Sequence, residues 1–406
     1  MSTTTTDPAP AASTAAWPPA AADLLPDDGT AGTLAARVWD PAAGGPSVVA
    51  IRAEGVVDVS AAFPTMRALC ETPDPAAALA AASGPVLGTL DELVANTPPE
   101  TRDDERPWLL SPIDLQVVKA AGVTFPVSML ERVIEERARG DQDAAATIRA
   151  EILGTIGGSL DELKPGSDEA AALKALLLER GWWSQYLEVG IGPDAEVFTK
   201  APVLATVGPA VDVGVHPASQ WNNPEPEVVL VVASDGRIVG ASLGNDVNLR
   251  DIEGRSALLL GKAKDNNASA SVGPFIRFFD AGYGLDDLRA SVVSLGIDGE
   301  EGYRLDGTSP LAQISRDPAD LVAQTIGAHH RYPDGFVLFL GTMFAPVDDR
   351  DEPGRGFTHR DGDIVRIAEP RLGGLVNRVR PTDAAEPWTF GIDDLYRGLA
   401  RRGLLT

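Results

Sequence analysis

The chain has 406 residues, 44% of them hydrophobic, which is enough for a large buried core and corresponds to about two to three domains. It carries 34 Lys plus Arg against 59 Asp plus Glu, a formal net charge of −25, which excludes duplex nucleic acid as a partner because phosphates are bound by Lys and Arg. No apolar run approaches the roughly 18 residues of a membrane span and no basic, apolar leader opens the chain, so the expectation is a cytoplasmic protein with no membrane partner.

Residues 1–30 are dominated by Thr, Ala and Pro, with little apolar beyond Trp17 and Leu24-Leu25, and read as a flexible tail. Residues 31–107 read as a small α+β module. Ser47 to Arg52 and Gly55 to Val59 look like two strands around a Glu54-Gly55 turn. Pro75 to Ala82 looks like a helix capped by Asp74, and Asp91 to Ala95 like another. Residues 96–107 are polar and Pro-bearing, as a linker would be.

From 108 to 406 the chain reads as one catalytic domain. Met129, Leu130, Val133 and Ile134 recur at helical spacing before Arg137, Arg139 and Gly140. A second helix is expected from Asp168 to Arg180, and Trp182-Trp183 are expected in the core. After Val203 come short β-rich runs, among them Val228 to Ala233, Ile238 to Leu243 and Phe336 to Leu340, which suggest a mixed sandwich or roll. The fold class is α+β.

The segment from Asn223 to Val232 is the most informative. Side chains alternate along a strand, so Glu225 and Glu227 face the same way. If Asp235-Gly236 forms a two-residue hairpin turn, paired residue numbers sum to 471 and Glu225 lies opposite Asp246. Three carboxylates that close repel unless they are protonated or bridged by a cation. Cys70 is the only cysteine and there are four histidines, so an oxygen-bound magnesium, manganese or calcium fits better than a softer metal. Without a cation, the same glutamates read as the solvated face of an edge strand, which Pro226 allows.

These residues resemble the fumarylacetoacetate hydrolase superfamily. The resemblance rests on Glu225-Pro226-Glu227, on Asn245 to Asp251, and on Phe198-Thr199-Lys200-Ala201-Pro202. It continues in Lys264 ahead of Gly273-Pro274, in Gly341-Thr342, and in the closing runs Asp361 to Val365 and Gly373 to Asn377. It covers roughly residues 110–380. It implies a mixed β-roll, a homodimer or higher homo-oligomer, and magnesium on Glu225, Glu227 and Asp246.

Departures from the family pattern narrow the activity. Lys264 is followed by Asp265-Asn266-Asn267-Ala268-Ser269, no His-x-x-Glu occurs, and Glu131 stands six residues after Phe125 where a related hydrolase has a histidine. The pattern is similar to the branch of 2-keto-3-deoxy-pentonate dehydratases, which act on xylonate or arabinonate derivatives and form 2,5-dioxopentanoate in oxidative pentose breakdown. A small sugar acid is then the expected substrate.

On that reading Glu131 is the expected acid and base, Lys264 the group that stabilises an enolate oxygen, and Lys200 and Thr342 the holders of the substrate carboxylate or, alternatively, structural loop residues. Ser128 is a further expected substrate contact, though Ser128-x-x-Glu131 also fits a helix capping box. His216 is a candidate for proton transfer or an ordinary loop histidine. Arg250 and Asp251 read as a structural ion pair, and Lys264 alternatively as a surface lysine beside Asp265. Rival functions are a metal-dependent C–C hydrolase of acylpyruvates or diketo-deoxy sugar acids, and a sugar-acid binding protein without catalysis.

Overall fold

The computed structural model describes residues 16–405 except 140, 142–143, 146, 149–162, 180, 182, 345–348 and 352–355. Gly140, Arg180 and Trp182 therefore lie outside the described residues. Helices and mixed sheets make up the α+β fold.

The backbone of the fold is an eleven-stranded sheet. In spatial order its path runs Val86–Gly88, Gly55–Asp58, Gly45–Arg52, Leu34–Asp40, Ala270–Phe278, Ile238–Asp246, Pro226–Val232, Phe336–Phe339, Val117–Gly122 and Glu196–Ala201, with Trp108–Leu110 paired to Leu34–Asp40. A five-stranded sheet packs against it, ordered Arg304–Pro310, Val292–Asp298, Ile364–Glu369, Gly373–Pro381 and Asp212–Val215. Most pairs are antiparallel. Phe336–Phe339 runs parallel to Val117–Gly122, and Gly373–Pro381 parallel to Asp212–Val215.

The central strand Pro226–Val232 is buried throughout because both of its faces meet a core. Val228, Leu230 and Val232 join Leu295, Val365 and Leu375 of the smaller sheet in one apolar cluster. Val229 and Val231 join Val337, Ile276 and Leu69 in another on the opposite side. An apolar run without polar alternation is the sequence form of a strand covered on both faces.

The N-terminal strands extend this sheet. Leu34 pairs with Arg277 and Ala35 with Ile276, so the boundary expected near residue 107 falls inside one continuous sheet. Residues 16–30 are folded, contrary to the flexible-tail expectation, while residues 1–15 lie outside the described residues. Leu24 is completely buried with Leu34, Val49 and Leu93, and Trp17 Nε1 donates to Glu100 at 2.7 Å. One fully buried leucine and an anchored indole offset the ordering cost that composition alone weighs against the segment.

The 96–107 stretch is no open linker either. Asn96 Nδ2 donates to the carbonyls of Asp103, Arg106 and Pro107 at 3.1–3.2 Å, and Arg102 pairs with Glu386 at 2.9 Å. A buried amide can staple a Pro-rich loop whose composition reads as flexible.

Candidate active site

The acidic cluster is built by the hairpin. Pro226 pairs with Asn245 and Glu227 with Gly244, and the Asp246 N–H donates to the Glu225 carbonyl at 3.1 Å. The expected register holds here, but by another route. The loop is three residues long, since Ala233 N–H donates to Arg237, and Val232 pairs with Ile238. A β-bulge beyond Val232 then restores the sum of 471. Glu225, Glu227 and Asp246 are buried and bring ligand oxygens within 4.8 Å of one another, an arrangement that could hold a metal ion.

Three cationic side chains surround the cluster. Lys264 Nζ lies 2.5 Å from Glu225 Oε2 and 3.1 Å from Asp246 Oδ2. It is 3% exposed, so it is not a surface lysine beside Asp265. Burial opposes its charge, yet Asp246, Glu225 and Glu253 outweigh burial and hold its pKa above the usual lysine range. Arg132 reaches Glu225 at 2.6 Å, Glu135 at 2.7 Å and Glu253 at 3.0 Å.

Lys200 is fully buried, 2.8 Å from Asp246 Oδ1, and donates to the carbonyls of Val247 and Lys264. Strand pairing skips from Thr199 to Ala201, so Lys200 is the extra residue of a β-bulge that aims it inward.

The residues present fit a hard cation. All three candidate ligands are carboxylates, and Asp246 Oδ1 is buried and has no directed hydrogen bond despite the nearby lysine. Burial favours protonation of Asp246, but Lys200 and Lys264 keep its carboxyl below the normal range. Burial, then Asp246 and Glu225, push Glu227 well above it. Glu227 accepts one backbone bond, from Gly341 N–H at 2.6 Å. Gly341 has φ +86, and an added Cβ would meet Thr124 Oγ1 at 2.0 Å, so this donor requires glycine.

A cleft opens onto the cluster, with Ser128, Arg132, Glu196, Phe198, Lys264 and Thr342 among its walls. Sequence reasoning missed Glu196. It pairs across strands with Gly122, whose missing side chain leaves room for the Glu196 carboxyl, since a Cβ there would meet Oε2 at 2.1 Å. Burial, reinforced by the Glu253 charge, pushes the Glu196 pKa up to about 7. Its position two residues before Phe198 was the available signal, because strand alternation puts both side chains on one face. Arg132 and Glu253 were also missed. Arg132 sits one residue from Glu131 on the helix Pro126–Ala138, and Glu253 ends the short helix Arg250–Glu253.

A second cleft shares Ser128, Arg132, Glu225 and Thr342 with the first and adds Glu131, Glu135, Asn223, Arg250 and Phe344. Glu131 therefore borders the second cleft, where Arg250 pairs with it at 3.2 Å and with Glu135 at 2.7 Å. The capping-box alternative fails. Phe125 is the N-cap, and Ser128 lies inside the helix, donating to the Phe125 carbonyl at 2.9 Å. Thr342 Oγ1 accepts from Phe344 N–H at 3.0 Å, which leaves its own proton for a ligand.

Three expected roles are corrected. Lys200 lines neither cleft, because its ammonium is consumed by Asp246 and two carbonyls. His216 also lines neither; its Nδ1 accepts from Ala218 N–H at 3.1 Å in a local turn after the strand Asp212–Val215. Arg250 and Asp251 are not partners of each other. Arg250 turns to Glu131 and Glu135, and Asp251 accepts from Ser219 and Gln220.

Residues 191–380 match the family model described as fumarylacetoacetate (FAA) hydrolase C-terminal. This region is similar to the fumarylacetoacetate hydrolase family. All three clustered carboxylates and Lys264 lie within the matched region.

The chain is 33% identical over 194 residues to a Haloferax volcanii protein described as a probable 2-keto-3-deoxyxylonate dehydratase, covering 48% of this chain and 63% of that protein. It is 30% identical over 188 residues to 2-dehydro-3-deoxy-D-arabinonate dehydratase of Saccharolobus solfataricus, covering 46% and 58%. The matched region thus spans about three-fifths of each curated relative. A solved 2-keto-3-deoxy-D-arabinonate dehydratase complexed with magnesium and 2,5-dioxopentanoate superposes with a TM-score of 0.58 at 20% identity, over 86% of this chain and 99% of that one. That likeness establishes a common fold. Among the described residues, no helix is long and apolar enough to cross a membrane.

Proposed function

We propose that the protein is a magnesium-dependent hydro-lyase that converts a 2-keto-3-deoxy-pentonate, of the xylonate or arabinonate type, to 2,5-dioxopentanoate and water. The observation that carries this reading is the placement of Glu196, with a pKa of about 7, in the same cleft as Glu225, Glu227, Asp246 and Lys264. The names of the two curated relatives support it. A role in oxidative pentose breakdown, a cytoplasmic location and a homodimeric or higher assembly belong to the same proposal.

Magnesium held by Glu225, Glu227 and Asp246 would supply Lewis-acid polarisation of a 2-oxo acid. The side chains do the rest. Glu196 is the base for a C3 proton and returns a proton as the C4 hydroxyl departs as water, work suited to a group that titrates near neutrality. Lys264, charged and lining the cleft, stabilises negative charge developing on the C2 oxygen. Arg132 and the Thr342 hydroxyl, which line both clefts, are donors for the substrate carboxylate.

The 3-ene formed by dehydration reaches the aldehyde through two further proton shifts, from the C5 carbon to C3 and from its hydroxyl to C4. Glu131, in the adjoining cleft, is a second carboxyl available for this relay. The deciding experiment supplies magnesium and 2-keto-3-deoxy-xylonate and identifies the product. Formation of 2,5-dioxopentanoate is expected; pyruvate would overturn the dehydratase reading in favour of C–C cleavage.

A further inference from the structure

A residue lining the second cleft carries a polar atom that the chemistry above does not use. Asn223 is 3% exposed and lines this cleft. Its Nδ2 donates to the Pro224 carbonyl at 2.8 Å, which fixes the amide orientation, since a flipped amide would set two oxygens against each other. Asn223 Oδ1 is buried and has no hydrogen-bond partner among the described residues. A buried acceptor left in that state is costly, so the position favours a ligand that donates.

The backbone locks this acceptor to the acidic cluster. Asn223 pairs with Asn248 in a two-residue ladder, and Asn248 Nδ2 donates to Glu225 Oε1 at 3.2 Å. Glu225 borders both clefts, so a ligand gripped there has the second cleft within its reach. Arg250, its carboxylate partners Glu131 and Glu135, and the Thr342 hydroxyl are further polar walls, and Phe344 gives an apolar surface for a short carbon chain.

We propose that this second cleft is the subsite for the hydroxylated tail of the substrate, and that Asn223 selects for the tail by accepting a hydrogen bond from its terminal hydroxyl. The inference rests on the 2-oxo acid reading of the first cleft and adds the length and polarity of the chain that extends from it. A 2-oxo acid ending in a methyl group leaves Asn223 Oδ1 without a donor. Sites that hydrogen-bond a substrate hydroxyl discriminate against the analogue lacking it far more strongly than apolar pockets discriminate by size.

The test uses binding, so that it does not depend on turnover. The magnesium-loaded protein is titrated calorimetrically with 5-hydroxy-2-oxopentanoate and with 2-oxopentanoate, a pair that differs only in the terminal hydroxyl and lacks the C4 hydroxyl needed for dehydration. The wild type should bind the hydroxylated compound at least about tenfold more tightly. Asn223→Ala should lose that preference while binding 2-oxopentanoate as before. Should the alanine variant not fold, Asn223→Ser, whose short hydroxyl withdraws from the cleft, carries the same comparison.

Equal wild-type affinities, failure of both compounds to bind, or a preference that survives in Asn223→Ala would overturn the proposal. A hydroxyl preference in a protein that does not dehydrate 2-keto-3-deoxy-xylonate would sink the dehydratase reading and leave the tail subsite standing.

Discussion

The Asp246 N–H donates to the Glu225 carbonyl at 3.1 Å, and this one ladder bond sets two carboxylates side by side at the head of the hairpin. Glu227 follows on the same strand face, so adjacent strands of one sheet supply the complete acidic set.

Replacing Asp246 with Asn should therefore weaken divalent-ion binding sharply and nearly abolish turnover. The fold should persist, because an amide fits the same space. Manganese titration followed by electron paramagnetic resonance measures the affinity directly. Wild-type affinity in Asp246→Asn would remove this residue from the ligand set.

Glu196→Gln should lower kcat by on the order of 10²–10⁴-fold and remove the pH-rate limb near 7. Glu131→Gln should cost less, because Arg250 retains Glu135 as a partner and Gln still offers it an oxygen. A larger loss in Glu131→Gln would transfer the first proton step to Glu131.

Glu196 also bears on stability. Its carboxyl titrates near 4.5 when unperturbed and near 7 in the folded protein, so the folded state holds a proton that the unfolded chain releases between those values. Stability of the metal-free protein should fall as pH rises through that window and stay lower above it. Glu196→Gln should then be more stable than wild type at pH 8, by on the order of 1–3 kcal/mol, with the gap closing below pH about 4.5. Urea midpoints across the pH range, measured with chelator present, test the sign.

Lys200→Met should destabilise the protein by about 3–5 kcal/mol, the usual cost of removing one member of a buried ion pair. The cause is specific: two buried carbonyls lose their donor and Asp246 loses an ion-pair partner. A urea midpoint unchanged from wild type would mean that Asp246 is neutralised by Lys264 alone.

Leu24→Ala tests the folded N-terminal segment. Leu24 is fully buried against Leu34, Val49 and Leu93, so truncation should cost about 2–5 kcal/mol. A loss below about 0.5 kcal/mol in thermal unfolding would return residues 16–30 to the status of an accessory tail.

The acidic cluster was legible in the sequence because strand alternation and hairpin pairing are local rules. Their success at Glu225 and Asp246 depended on compensation: the loop contains one residue more than a two-residue turn, and the bulge beyond Val232 takes the offset back. The helix capped by Asp74 was equally local, and Asp74 Oδ1 accepts from Ala77 N–H at 2.9 Å. Lys264 could be singled out by motif, but its partners could not, since they stand 18 and 39 positions away.

Composition and short-range pattern determined the α+β class, the scarcity of soft metal ligands and the line of carboxylates. Only the tertiary structure decided which charged groups face the ligand space. Glu196 enters it because a strand 74 positions away presents Gly122 beneath its carboxyl. Lys200 is withdrawn by a bulge, His216 is left in a turn, and Asn223, paired with Asn248, is brought to the wall of the second cleft. Desolvation and charge pairing depend on distances between segments remote in the chain, and those distances exist only once the sheets have closed around them.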